Sequence, residues 1–125
     1  MLNQTETRVL PDVSHIDVPF EWYEVTYLMS IPSVDFDEAG LTLETNRAHK
    51  RNDYQYEWLM EDIKENGFYN PVFVYPPHER IWADNVGEEL GNGHHRVLAA
   101  FDLGFTHVPV THDSDIQWST SRNYR

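Results

Sequence analysis

The run Glu89-Leu90-Gly91-Asn92-Gly93-His94-His95-Arg96-Val97-Leu98-Ala99-Ala100 carries the clearest chemical signal in the chain. A glycine-bearing loop that leads a strand into a helix presents backbone N–H groups and the positive end of the helix dipole, and both attract anions. Gly93 lets an anion approach the backbone, and His94, His95 and Arg96 add donors where a phosphate would sit. The guanidinium of Arg96 is permanently charged, and its planar fork fits phosphate oxygens. The pattern predicts a phosphate-binding helix start with Arg96 facing solvent. The competing reading is a structural helix start, in which Arg96 pairs with a nearby acid such as Glu89.

The segment Asn46-Arg47-Ala48-His49-Lys50-Arg51 is the one basic cluster in the chain. Arg47 and Arg51 are read either as further phosphate contacts or as part of a solvated loop ahead of a helix. Glu44 and Glu57 flank the cluster and are the candidate catalytic carboxylates, able to activate water or a hydroxyl. His94, His95, Asp84, His112 and Asp113 are metal-ligating residue types without metal-ligating spacing, since adjacent histidines on a helix diverge by about 100°. No metal site is assigned. Trp22, Trp58, Trp82 and Trp118 are read as core or rim residues, and Glu57, Glu61 and Glu65 as a polar helix face.

These groups need elements to place them. Tyr56, Leu59, Met60 and Ile63 recur at i, i+3, i+4 and i+7, which predicts a helix over 53–66, capped by Asn52 or Asp53 and stopped by a left-handed Gly67. Pro71 bars helix, and residues 72–75 read as a buried strand ended by Pro76 and Pro77. Residues 80–83 and 88–90 are expected as strands around a turn at 84–87, after which Gly91 to Gly93 break the chain. A second helix over 94–103, ended by Gly104, and a last strand over 108–110 follow. Upstream, the aromatic and β-branched run 20–29 reads as a strand, with a brief one at Leu41 and Leu43. Tyr56, Leu59, Ile63, Val72, Val74, Val97, Leu98, Ala100 and Phe101 are the expected core. The fold class is α+β (mixed α/β): a small mixed sheet with flanking helices.

A chain of 125 residues is one domain in size. The division expected within it is an acidic, strand-rich part over 1–45, a core over 46–112 and a polar extension over 113–125. The absence of cysteine excludes disulfides, thiolate metal sites and cysteine nucleophiles. Nine Lys and Arg against 21 Asp and Glu leave a net charge of −12. Residues 1–46 hold nine acids and a single base, Arg8. Such a balance repels a phosphate backbone, so weak or absent binding to generic duplex DNA is expected. No run approaches the ~18 apolar residues of a membrane span, and a cytoplasmic location is expected.

Three blocks extend the signal: Glu65-Asn66-Gly67-Phe68-Tyr69-Asn70-Pro71-Val72, then Gly93 to Ala100, then Leu103-Gly104-Phe105-Thr106-His107-Val108-Pro109-Val110. Their order and spacing over roughly 46–112 resemble the N-terminal ParB/sulfiredoxin-like domain, known also as the ParB-like nuclease domain, in a short stand-alone form of the kind common in phages. The resemblance implies that Gly93 opens the phosphate loop and that His95 and Arg96 stand where ParB proteins place paired arginines on the phosphates. His94 occupies the position of the sulfiredoxin catalytic cysteine, so sulfinic acid reduction is excluded. Asn70 falls where ParB carries Gln near base and ribose, and Arg47 to Arg51 fall where it carries basic residues. The DNA-reading and dimerisation parts of a partition protein have no counterpart here.

The function expected from this resemblance is binding of a nucleotide (CTP, ATP or ADP) with Mg²⁺, with or without phosphate hydrolysis or transfer. In a phage-encoded chain the compartment would be the host cytoplasm. An acidic regulator that binds a host or partner protein or imitates DNA is the alternative, and a nuclease is the second alternative.

Overall fold

The computed structural model describes residues 7–34, 41–52, 54–79 and 87–117. The expected strand over 80–83, its turn through Asp84, Trp82, Trp118 and the capping residue Asp53 lie outside them.

Chain order runs β1 (Glu21–Glu24), α1 (Val25–Ser30), α2 (Arg47–Arg51), α3 (Tyr56–Asn66), β2 (Val72–Tyr75), β3 (Glu89–Asn92), α4 (His94–Leu103), β4 (His107–Thr111) and α5 (Ser114–Gln117). The strands form one sheet in the order β1-β4-β2-β3. β1 runs antiparallel to β4, with Tyr23 opposite Val108, and β2 runs antiparallel to β3, with Val74 opposite Leu90. β2 and β4 pair in parallel, Val72 against Val110. The architecture is the mixed α+β class expected.

One apolar cluster unites the sheet and the helices. Leu59 and Ile63 of α3, Val97, Leu98 and Ala100 of α4, and Val72, Val74, Val108 and Val110 of the sheet are all buried in it. Tyr56 is buried there too, while Phe101 is only partly covered. Burying a side chain the size of Leu59 or Ile63 contributes about 1.5–3 kcal/mol. Val25, Leu28, Met29 and Leu43 join the same cluster, so the acidic first third of the chain is part of this core.

Several expected elements differ. The strand over 20–29 stops at Glu24, and α1 begins at Val25. Two periodicities compete there: Tyr23, Val25, Tyr27 and Met29 alternate, but Val25, Leu28 and Met29 also share a helical face. Burial of that face, in contact with α4, decides for helix. Leu41 and Leu43 form no strand; Thr42 makes an isolated bridge to Pro32, and Glu44–Asn46 is a 3₁₀ turn. The helix expected from residue 53 starts at Tyr56, with Gln55 at its cap and no side-chain capping bond, so Asn52 does not cap it. The basic cluster is itself helical rather than a loop.

Gly67 has φ 76° and ψ −156°, a positive-φ conformation but not the left-handed helical one, and its N–H donates to the Ile63 carbonyl at 2.9 Å. Gly91 and Asn92 belong to β3 and do not break it; a Cβ on Gly91 would lie 2.6 Å from the Phe73 ring. Thr111 is buried in β4, and within the polar extension expected over 113–125 α5 packs against β2 and β4 as far as Gln117. Among the described residues, no helix is long and apolar enough to cross a membrane.

Candidate functional site

Gly93 adopts φ 96° and ψ 24° and hands β3 over to α4, whose first bond runs from the Val97 N–H to the Gly93 carbonyl at 2.9 Å. Having no side chain, Gly93 brings no cap to the helix start. The first turn holds His94, His95 and Arg96 and no acid. That is the reverse of what a helix dipole favours, because cations are disfavoured near an N-terminus.

Arg96 does not face solvent. Its exposure is 4%, and Nη1 donates to the Asn70 carbonyl at 2.8 Å. The guanidinium folds back under Gly93, where an added Cβ would stand 2.9 Å from Nη2 and 3.2 Å from Val72 Cγ2. The glycine is therefore required twice, by its left-handed φ and by the arginine beneath it. Arg96 thus ties the start of α4 to the loop that leads into β2, and Asn70 is buried with it. The partner carbonyl belongs to a residue 26 positions earlier, too remote for local spacing to suggest. His94 is buried as well, which leaves His95, half-buried, as the side chain of the first turn nearest to water. Asn92, one residue before the loop glycine, has a buried Oδ1 that accepts no hydrogen bond.

The remaining expected residues gather elsewhere. Arg51 forms a two-pronged pair with Asp102, through Nε to Oδ2 at 2.8 Å and Nη2 to Oδ1 at 2.5 Å. Arg47 lies over the Phe101 ring at 5.6 Å and pairs with Glu44 at 3.5 Å. Glu57 lines a groove of 630 Å³ together with Arg51, Met60, Glu61, Lys64 and Leu103. All of these sit toward the far end of α4. With a rise of about 1.5 Å per residue, Asp102 is about 12 Å along the axis from His94. The candidate residues therefore divide into two sets: Gly93, His94, His95, Arg96 and Asn70 at one end of α4, and Arg47, Arg51, Glu44 and Glu57 at the other.

Asp102, which sequence reasoning did not single out, organises that second set. Tyr56 Oη donates to its Oδ2 at 2.6 Å, beside the Arg51 pair. Burial works to raise the Asp102 pKa, but the hydrogen bonds from Arg51 and Tyr56 outweigh it and hold the carboxyl below the usual range. Its folded pKa being depressed, Asp102 contributes stability that is present above its unfolded value, about 3.9, and lost as pH falls through the folded one. Asp102→Asn is expected to flatten the acid limb of the stability curve between about pH 5 and pH 2. Urea denaturation across that window checks it, and an unchanged limb counts against the pairing.

A further polar cluster was not foreseen. Tyr23 of β1, Tyr27 of α1, Glu88 before β3 and His112 after β4 meet in one hydrogen-bonded cluster. Only His112 had been noted, as a metal-ligating type. The i, i+4 spacing of the tyrosines was legible, but nothing local connects them to Glu88, 61 to 65 residues away.

No family model matches the chain, and neither the curated proteins nor the solved structures contain a match.

Proposed function

We propose that the start of α4 binds the phosphate groups of a nucleotide. The observation that carries this reading is the first turn of α4, which holds two histidines and an arginine and no acid at the positive end of the helix dipole. A dianionic group placed there reverses the unfavourable charge arrangement and meets the N–H groups of the first turn. In this reading the backbone at Gly93–Arg96 and the His95 imidazole contact the phosphate, while Arg96 shapes the loop from beneath and Asn70 is held beside it.

Mg²⁺ and a catalytic base belong to the function expected of a ParB-like domain, but the two carboxylates expected to act as the base lie away from the loop. Glu44 and Glu57 stand toward the opposite end of α4 from the phosphate loop. The reading is accordingly nucleotide binding, with no hydrolytic or transfer step assigned.

Melting of the full chain with CTP, ATP, ADP and inorganic phosphate, with and without Mg²⁺, is the test. A nucleotide is expected to raise the melting temperature. His95→Ala should weaken its binding by about 1.5 kcal/mol, the size of a charge-assisted hydrogen bond. Arg51→Ala should leave the affinity unchanged, because its guanidinium is held by Asp102.

A second reading is favoured by Tyr54 and Trp58, four residues apart and exposed by 90% and 54% at the start of α3. Large aromatics on an acidic surface suit a protein partner. It takes over if no nucleotide shifts the melting temperature.

A further inference from the structure

The cluster of Tyr23, Tyr27, Glu88 and His112 is independent of the α4 loop. Tyr23 Oη donates to Glu88 Oε2 at 2.6 Å and lies 3.0 Å from His112 Nε2, and Nε2 is 3.5 Å from the same Oε2. Tyr27 Oη donates to the other carboxylate oxygen, Oε1, at 2.6 Å. His112 Nδ1 is 2.9 Å from the Val74 carbonyl, a group that can only accept, so Nδ1 carries the ring proton and Nε2 faces the two oxygens.

We propose that Tyr23, Glu88 and His112 form one face of a binding site for ferric iron, with Tyr27 as a positioning residue for the Glu88 carboxylate. The first argument is geometric. A triangle with sides of 2.6, 3.0 and 3.5 Å has its corners about 1.8 Å from a common centre, so an ion about 1 Å above its plane reaches all three at the ~2.1 Å of a metal–oxygen or metal–nitrogen bond. One phenol oxygen, one carboxylate oxygen and one imidazole nitrogen thus already stand at the separations of ligands on one coordination face. The second argument is the outer contact of the histidine. A metal-binding imidazole commonly donates its other N–H to a backbone carbonyl, which fixes both tautomer and ring direction. His112 has that bond to Val74, in β2 of the same sheet.

The donor set selects the ion. Among the described residues, no three of His, Cys, Asp and Glu come together as a metal-binding group, so the phenol is needed to complete the face. Phenolate and carboxylate oxygens are hard donors that suit a hard, highly charged cation. The imidazole nitrogen beside them points to Fe³⁺ rather than to Mg²⁺ or Ca²⁺, which take oxygen ligands. The exchange balances simply. The Tyr23 O–H bond breaks, its proton passes to solvent, and an oxygen–iron bond forms; iron remains ferric throughout. The side chains of His112 and Glu88 are partly exposed, so the ion can enter from solvent, and water or a small anion would complete its coordination.

The test is titration of the full chain with ferric nitrilotriacetate, followed by visible absorption and by iron retained after desalting. One equivalent should be retained, with a phenolate-to-iron charge-transfer band in the visible and release of one proton to weak buffer. Tyr23→Phe should abolish the band. Tyr27→Phe should keep it while weakening the affinity about tenfold or more, the usual cost of losing an outer-shell partner. His112→Ala, at a partly exposed position, should also lose at least tenfold, and it serves as the deciding variant if circular dichroism finds Tyr23→Phe unfolded. The proposal is overturned if the wild-type chain retains no iron or develops no band, if the band survives Tyr23→Phe, if His112→Ala binds as tightly as wild type, or if Zn²⁺ is retained and ferric iron is not.

Discussion

Gly67→Ala is expected to lower the unfolding free energy by about 3 kcal/mol or more, a loss of the size reserved for a few named mechanisms. Two of those mechanisms act together here. The residue holds φ at 76°, with ψ at −156°, where a side chain adds about 1–3 kcal/mol of backbone strain. In addition, a Cβ would overlap the Asp12 carbonyl oxygen and stand 2.7 Å from both the carbonyl carbon and Cβ of Asp12. Two of those three atoms are backbone, so no rotamer change relieves the overlap. Relief requires withdrawing the segment around Asp12, whose carbonyl accepts the Phe68 N–H at 2.9 Å and whose neighbour His15 stacks on Tyr69 at 4.4 Å. Urea denaturation of Gly67→Ala checks the expectation. A change below about 1 kcal/mol would mean that the segment around Asp12 does not dock on this loop in solution.

Arg96→Ala is expected to cost about 2–4 kcal/mol of stability in the absence of any ligand. The buried guanidinium fills the space beside Gly93, and truncation leaves a cavity there. It also strips the buried Asn70 carbonyl of its 2.8 Å hydrogen bond from Nη1. Arg96→Lys should recover only part of the loss, because an ammonium cannot reproduce the planar fork that reaches from beneath Gly93 to Asn70. Chemical denaturation of the two variants decides the matter, and a loss below about 0.5 kcal/mol for Arg96→Ala would return the residue to the surface. The same buried contact explains why His95 is the better probe of nucleotide binding. A change at Arg96 would alter loop shape and ligand contact together.

How far the molecule was legible in its sequence depends on the range over which each feature is determined. The helix carrying Leu59 and Ile63 was readable because an amphipathic stripe repeats within a few residues, and the mixed sheet was readable from short apolar runs bounded by Pro and Gly. The start of α4 was equally local: the helix does begin at His94, directly after Gly93. The strand over 20–29 was misread because two local periodicities were both satisfied, and only burial against α4 favours the helical one.

Side-chain roles escaped for a different reason. Arg96 as a phosphate donor and Arg96 as a buried tether have the same local sequence; the carbonyl of Asn70, on a separate segment, decides its direction. Arg47 and Arg51 look like partners of the phosphate loop until Phe101 and Asp102 claim them near the other end of the helix. Tyr23, Glu88 and His112 come from three segments joined through strand pairing, and no spacing rule spans them. The amino-acid order by itself thus determined α3, β2, α4 and β4, most of the core and the chemical character of the α4 start, since each depends on neighbours within a turn or a strand. Which cations meet which anions, which face of α4 is dry and where a phenol, a carboxylate and an imidazole converge were decided only by the tertiary structure. Packing chooses among rotamers and partners that are locally equivalent, and it does so with contacts made between residues tens of positions apart.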